Sequence, residues 1–138
     1  MNPVNMKSAK EADMILRKRI LLVDDEPIVR ESIGMLLSLD KHTVVEATNG
    51  DEALSLFTRG QFDLVVTDFQ IPSMTGSDLA ARIKQLAPWQ PILMITGHAE
   101  RPGPASPIDV VLDKPFDLSQ LRSAIEIVLS DVEECSTA

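Results

Sequence analysis

Five polar side chains stand just past four aliphatic runs. Asp24 and Asp25 follow residues 20–23, Asp68 follows 64–66 and Thr67, Thr96 follows 92–95, and Lys114 follows 110–112 and Asp113. Two adjacent acids and a third nearby repel one another unless a cation sits among them. Mg²⁺ suits that role, because it takes oxygen ligands in an octahedron and often shares itself between one or two carboxylates and a phosphate. No histidine or cysteine stands at ligand spacing, which disfavours zinc. An aspartate beside such a cation is placed to attack phosphorus and become an aspartyl phosphate. An ammonium, a hydroxyl and backbone N–H groups then face the developing phosphoryl charge. The set implies phosphoryl transfer, with Asp68 as acceptor, Lys114 and Thr96 stabilising the transferred group, and Asp24, Asp25 and Asp68 as metal ligands.

Each residue alone has a plainer reading. An acidic pair after a strand caps the next helix, Asp68 forms a turn, Thr96 ends a strand, and Lys114 before a proline is a solvated lysine. Their joint placement decides between the readings. In an open parallel α/β sheet the carboxyl ends of the strands share one edge, so these five positions converge in one crevice.

The elements that must position them follow from the hydrophobic pattern. Continuous aliphatic runs such as 20–23 are expected of strands covered on both faces. Pro27 suits a first helical turn, and Val29, Ile33, Leu36 and Leu37 form a stripe at helical spacing that should end near Leu39. Residues 43–47 read as a second strand. Asn49, Gly50 and Asp51 read as a turn into a helix packed through Ala53, Leu54 and Phe57, ending at Gly60. Residues 62–67 form the third strand, 68–76 a loop, and Leu79, Ile83 and Leu86 one face of the next helix, broken by residues 88–91. After the fourth strand, residues 97–107 hold three prolines and two glycines, which argues against a regular helix. The fifth strand is 110–112. Asp117 and Gln120 resemble a capping box opening a helix along Leu118, Leu121, Ile125 and Val128, with a loose tail expected from Asp131. Five strands alternating with helices predict a doubly wound parallel sheet of order 2-1-3-4-5.

Length and composition bound the rest. At 138 residues the chain fits one domain, read as 19–130, with an N-terminal extension over 1–18 and a C-terminal tail over 131–138. The extension shows weak helical spacing at Ala12, Ile15 and Leu16; a short helix and a frayed arm are equal readings. No apolar run approaches the ~20 residues of a membrane span, and 1–19 lacks the apolar stretch of a signal peptide, so a cytoplasmic protein without membrane insertion is expected. A net charge of −8 argues against a direct nucleic-acid surface. The single cysteine, Cys135, reads as an inert thiol, His42 as a structural histidine on the opposite edge, His98 as a solvent-facing loop residue, and Trp89 as distant from the crevice.

Residues 22–27 (Leu-Val-Asp-Asp-Glu-Pro), Thr67-Asp68 with 72–76 (Pro-Ser-Met-Thr-Gly), Thr96, and 114–116 (Lys-Pro-Phe) together resemble the receiver domain of bacterial two-component response regulators, over about residues 19–129. The resemblance implies a flavodoxin-like fold and a histidine kinase or histidine phosphotransfer protein donating phosphoryl to Asp68, with an unidentified downstream protein. It also implies Mg²⁺ on Asp24 and Asp25, a further ligand from the Gln70 backbone carbonyl, Thr96 touching the phosphoryl group, Lys114 pairing with it, and a cis Lys114–Pro115 bond. Two departures bear on output. The position three before the lysine, aromatic in typical receivers, is Val111, and a valine does not signal by ring rotation. The connection from Thr96 to Lys114 is about four residues short, so the fourth helix should be short or missing. Thr96 and Gly97, followed by His98, partly match a subset of receivers with such a connection. Residues 97–107 then read either as the responsive element, hinged at Thr96 and Gly97, or as a tolerated short loop.

Competing functions on such a fold fit less well. A flavin carrier would need a hydroxyl- and glycine-rich loop where Asp24, Asp25 and Glu26 stand. A haloacid-type phosphatase would use Asp24 and Glu26, which leaves Asp68 and Lys114 unexplained. A silent binding module gains nothing from the mutual repulsion of its acids.

Overall fold

The computed structural model describes residues 17–97, 101–103 and 105–137, without the side chains of 131–137. The two readings of the N-terminal extension over 1–16, the His98 reading and the Cys135 thiol lie outside what is described. Five strands form one parallel sheet: β1 (Arg19–Val23), β2 (Thr43–Ala47), β3 (Leu64–Asp68), β6 (Ile92–Thr96) and β7 (Val110–Asp113). Their order is β2-β1-β3-β6-β7, as expected. Between them run α1 (Pro27–Leu39), α2 (Gly50–Arg59) and α3 (Gly76–Leu86), and α4 (Leu118–Thr137) closes the chain. A small antiparallel hairpin, β4 (Gln70–Ile71) with β5 (Met74–Thr75), stands where the sequence reads as plain loop. Its turn places Ser73 at φ 75° behind Pro72, the positive φ that a type II turn requires at its second central residue.

The alternation of side chains along each strand splits the core in two. Ile20, Leu22, Leu64, Val66, Leu93 and Ile95 face α1 and α4, meeting Ile33, Leu37, Leu121, Ile125 and Val128. Leu21, Val23, Val65 and Ile92 face α2 and α3, meeting Ala53, Leu79, Ala80 and Ile83. Two covered faces are why the strand sequences are continuously aliphatic.

Helix ends follow local chemistry. The Asn49 side chain accepts from the Glu52 N–H at 2.8 Å and starts α2. Thr75 and Asp78 cap α3 reciprocally, and Asp117 and Gln120 do the same before α4 at 2.9 and 2.8 Å. Leu86, read as inward, is exposed in the last turn of α3, while Ala87 takes the buried place. The loose tail expected from Asp131 is corrected: the backbone is helical to Thr137, because no glycine or proline follows Pro115 to stop it. Among the described residues none between Thr96 and Val110 is helical, in line with a short or missing fourth helix.

Candidate functional site

Parallel register brings the strand ends level. Val23 pairs with Thr67, Asp68 with Ile95, and Thr96 with Asp113. Asp24 follows directly, its N–H donating to the Ala47 carbonyl at 3.1 Å, so the sheet positions it although it lies outside β1. The result is a cluster in which carboxylate oxygens of Asp24, Asp25 and Asp68 all lie within 4.8 Å of one another, with Asp24 buried, Asp68 half-buried and Asp25 exposed. The Lys114 Nζ stands 3.6 Å from the Asp68 Oδ2, an ion pair rather than a hydrogen bond.

Burial pushes the Asp24 carboxyl above its ordinary pKa, and the charges of Asp68 and Asp25 add to the rise; the Glu26 N–H, donating to its Oδ1 at 2.9 Å, and Lys114 work against it. Three hard oxygen donors this close together, with Asp24 among them resisting ionisation, fit a divalent cation such as Mg²⁺ and offer nothing to a thiophilic metal. Asp68 is oriented by the Phe69 N–H, which donates to its Oδ1 at 2.8 Å, and the Thr67 hydroxyl donates to its backbone carbonyl at 2.9 Å.

Thr96 is fully buried at the end of β6, and its carbonyl accepts the Lys114 N–H at 2.8 Å, tying the lysine to that strand end. The Lys114–Pro115 bond is cis. Gln70 opens the hairpin two residues past Asp68. Gly97 is half-buried, and Val111 pairs with Met94 in the sheet. His42 lies at the other edge, its Nδ1 accepting the Lys18 N–H at 3.0 Å, and Trp89 is exposed beside Arg19 and Phe62.

Two residues escaped the sequence reading. Gly76 was seen only as part of a motif, yet a β-carbon there would collide with the Asp68 carbonyl oxygen. Arg30 reaches from α1 to the Asp24 carbonyl at 2.9 Å and to the Glu46 Oε1 at 3.0 Å. The only signal for it was an arginine one turn into the helix that follows the acidic pair.

A parallel α/β sheet with three acids and a lysine gathered on its carboxyl edge is the arrangement of a signalling receiver domain. The response regulator receiver domain family matches residues 20–126, and the chain belongs to it. It is 35% identical over 117 residues to the response regulator protein PilR of Pseudomonas aeruginosa, covering 82% of this chain and 26% of that protein. To the transcriptional regulatory protein GlrR of Escherichia coli it is 32% identical, covering 80% of this chain and again 26% of the relative. The chain therefore spans about a quarter of these curated relatives. Among solved structures, the response regulator TrrA of Thermotoga maritima in complex with Mg²⁺-BeF superposes with a TM-score of 0.76 at 32% identity, covering 81% of this chain and 99% of that one. The chemotaxis response regulator CheY4 of Vibrio cholerae gives 0.75 at 28% identity, over 82% and 99%. No helix among the described residues is long and apolar enough to cross a membrane.

Proposed function

We propose that this receiver domain accepts a phosphoryl group on Asp68 from a histidine kinase or histidine phosphotransfer protein in a Mg²⁺-dependent reaction, and changes conformation in response. The observation that carries this reading is the gathering of Asp24, Asp25 and Asp68 within 4.8 Å, with Lys114 beside Asp68. Asp24, Asp25, Asp68 and the Gln70 backbone carbonyl would hold the ion. Bound there, Mg²⁺ supplies positive charge against the phosphoryl oxygens.

The chain's own residues supply the rest. An Asp68 oxygen attacks phosphorus as the phosphorus–nitrogen bond to the donor histidine breaks, and the imidazole nitrogen keeps the electron pair. The Phe69 N–H fixes the attacking carboxylate. Lys114 sits beside the same carboxylate and stabilises charge on the transferred group, joined by the Thr96 hydroxyl. The same residues serve the domain's own dephosphorylation; it is a signalling receiver, not a metabolic enzyme. The switch comprises Thr96, Gly97 and Val111, with the connection after Gly97 as the responsive element.

A cytoplasmic setting goes with this reading, as does a protein target downstream: a net charge of −8 disfavours direct binding to nucleic acid. A relative supports the upstream partner: the autoinducer 1 sensor kinase/phosphatase LuxN of Vibrio harveyi shares 33% identity over 109 residues, 77% of this chain and 13% of that protein. The test is intact-mass spectrometry after incubation with acetyl phosphate. A single phosphoryl adduct that needs Mg²⁺ and disappears in Asp68→Ala is expected. Folded protein that stays unmodified with both acetyl phosphate and a panel of phosphorylated histidine kinases would favour an unphosphorylated binding module.

A further inference from the structure

We infer that Arg30 is a positioning residue for the metal-binding acids, holding Asp25 in place through the backbone of Asp24; this rests on the Mg²⁺ reading above. The Arg30 side chain is 16% exposed, and its guanidinium bridges two elements. Its Nη1 donates to the Asp24 carbonyl at 2.9 Å, and its Nε donates to the Glu46 carboxylate on β2 at 3.0 Å.

The carbonyl it holds belongs to the peptide joining Asp24 to Asp25. A peptide unit is planar, so fixing that oxygen fixes the direction in which the chain leaves toward the Asp25 Cα. Asp24 needs little help of its own. Its N–H is held by Ala47, and its Oδ1 by the Glu26 N–H. Asp25 is exposed and makes no side-chain hydrogen bond among the described residues, so its place beside Asp24 and Asp68 depends on the backbone that carries it. A guanidinium is suited to the task, because its rigid fork serves two acceptors in fixed directions whereas an ammonium is a point donor. Groups that orient metal ligands without touching the metal are worth ~10–100-fold in affinity.

Calorimetric titration with Mg²⁺ alone tests this without relying on phosphorylation. Arg30→Ala should weaken the affinity by about 10-fold while keeping a stoichiometry of one. Arg30→Lys keeps the charge and loses the bridge, so it should stay weaker than the wild type; it also carries the test should the alanine variant fail to fold. Glu46→Gln retains an acceptor for Nε and should bind as the wild type does. Unchanged affinity in Arg30→Ala, or full recovery in Arg30→Lys, would overturn the inference while leaving the metal site standing. A wild type that binds no Mg²⁺ would remove the metal reading and this inference with it.

Discussion

Gly76, the first residue of α3, lies so close to the backbone carbonyl of Asp68 that a β-carbon has no room between them. The Gly76 N–H donates to the Phe69 carbonyl at 2.7 Å, so the start of the helix is pinned against the strand end that carries the acceptor. Glycine is used here for close approach, since its φ is not positive.

Gly76→Ala should therefore act on both stability and chemistry. Forcing a methyl group into packed backbone costs about 1–3 kcal/mol. Because the atom displaced is the Asp68 carbonyl, acetyl phosphate labelling should slow as well. Thermal melts and the rate of adduct formation measure the two effects, and an alanine variant with unchanged labelling would show that Asp68 does not depend on this contact.

The acid cluster has a pH response of defined sign when no Mg²⁺ is added. Burial raises the Asp24 pKa above 3.8, so the unfolded chain ionises first. The stability this group contributes is present below pH 3.8 and is lost as pH rises through the raised value. At pH 7 without Mg²⁺, Asp24→Asn should melt higher than the wild type, by several degrees if the cost of burying that charge is on the order of 1 kcal/mol. Mg²⁺ at about 100 times its Kd should add roughly 2.7 kcal/mol to the wild type. That increment should shrink in Asp24→Asn and in Asp25→Ala. Equal increments in all three proteins would mean that the ion binds elsewhere.

How much of this was readable beforehand depended on whether the signal is periodic. Residues 20–23, 64–66 and 92–95 are aliphatic without a break because each strand is covered on both faces, and that alone located the edge where Asp24, Asp68 and Thr96 meet. The Asp117 and Gln120 box was legible because reciprocal capping has a fixed spacing. The hairpin of Gln70–Ile71 with Met74–Thr75 was missed because two residues cannot display a period of two. Arg30 and Gly76 were missed for a related reason: one acts through a side-chain bond to a distant carbonyl, the other through the absence of an atom. The helix beyond Asp131 carries no apolar stripe to announce it, although nothing in its sequence breaks a helix.

A second pH effect belongs to the far edge. Burial lowers the His42 pKa below 6.5, against the pull of the Asp40 carboxylate, and Nδ1 must be unprotonated to accept the Lys18 N–H. Stability from this group is complete above pH 6.5 and is lost as pH falls through the lowered value. His42→Asn keeps an acceptor near Nδ1 and removes the titration. Its melting temperature should fall less than that of the wild type between pH 6.5 and 5, and parallel curves would reject the assignment. Asp40 behaves in the same sense at lower pH, because the bidentate Arg122 contact holds its carboxyl below 3.8.

The connection after Thr96 carries the last prediction. Arg101 pairs with Asp113 at 2.8 Å, one residue before Lys114, while the other Asp113 oxygen is buried with no hydrogen-bond partner among the described residues. Ser106 reaches the Ser77 hydroxyl on α3 at 3.4 Å. These are light tethers: an exposed ion pair is worth about 0–1 kcal/mol, so Arg101→Ala should barely change the melting temperature. Movement of Thr96 or Lys114 toward a phosphorylated Asp68 would be felt at Asp113 and passed to this segment. Amide hydrogen exchange over residues 97–109 should slow when the Mg²⁺-loaded protein is treated with beryllofluoride, and Arg101→Ala should raise exchange in the untreated state. Identical exchange in both states would show that this short connection takes no part in the response, and would leave the face carrying Val111 as the place to look for output.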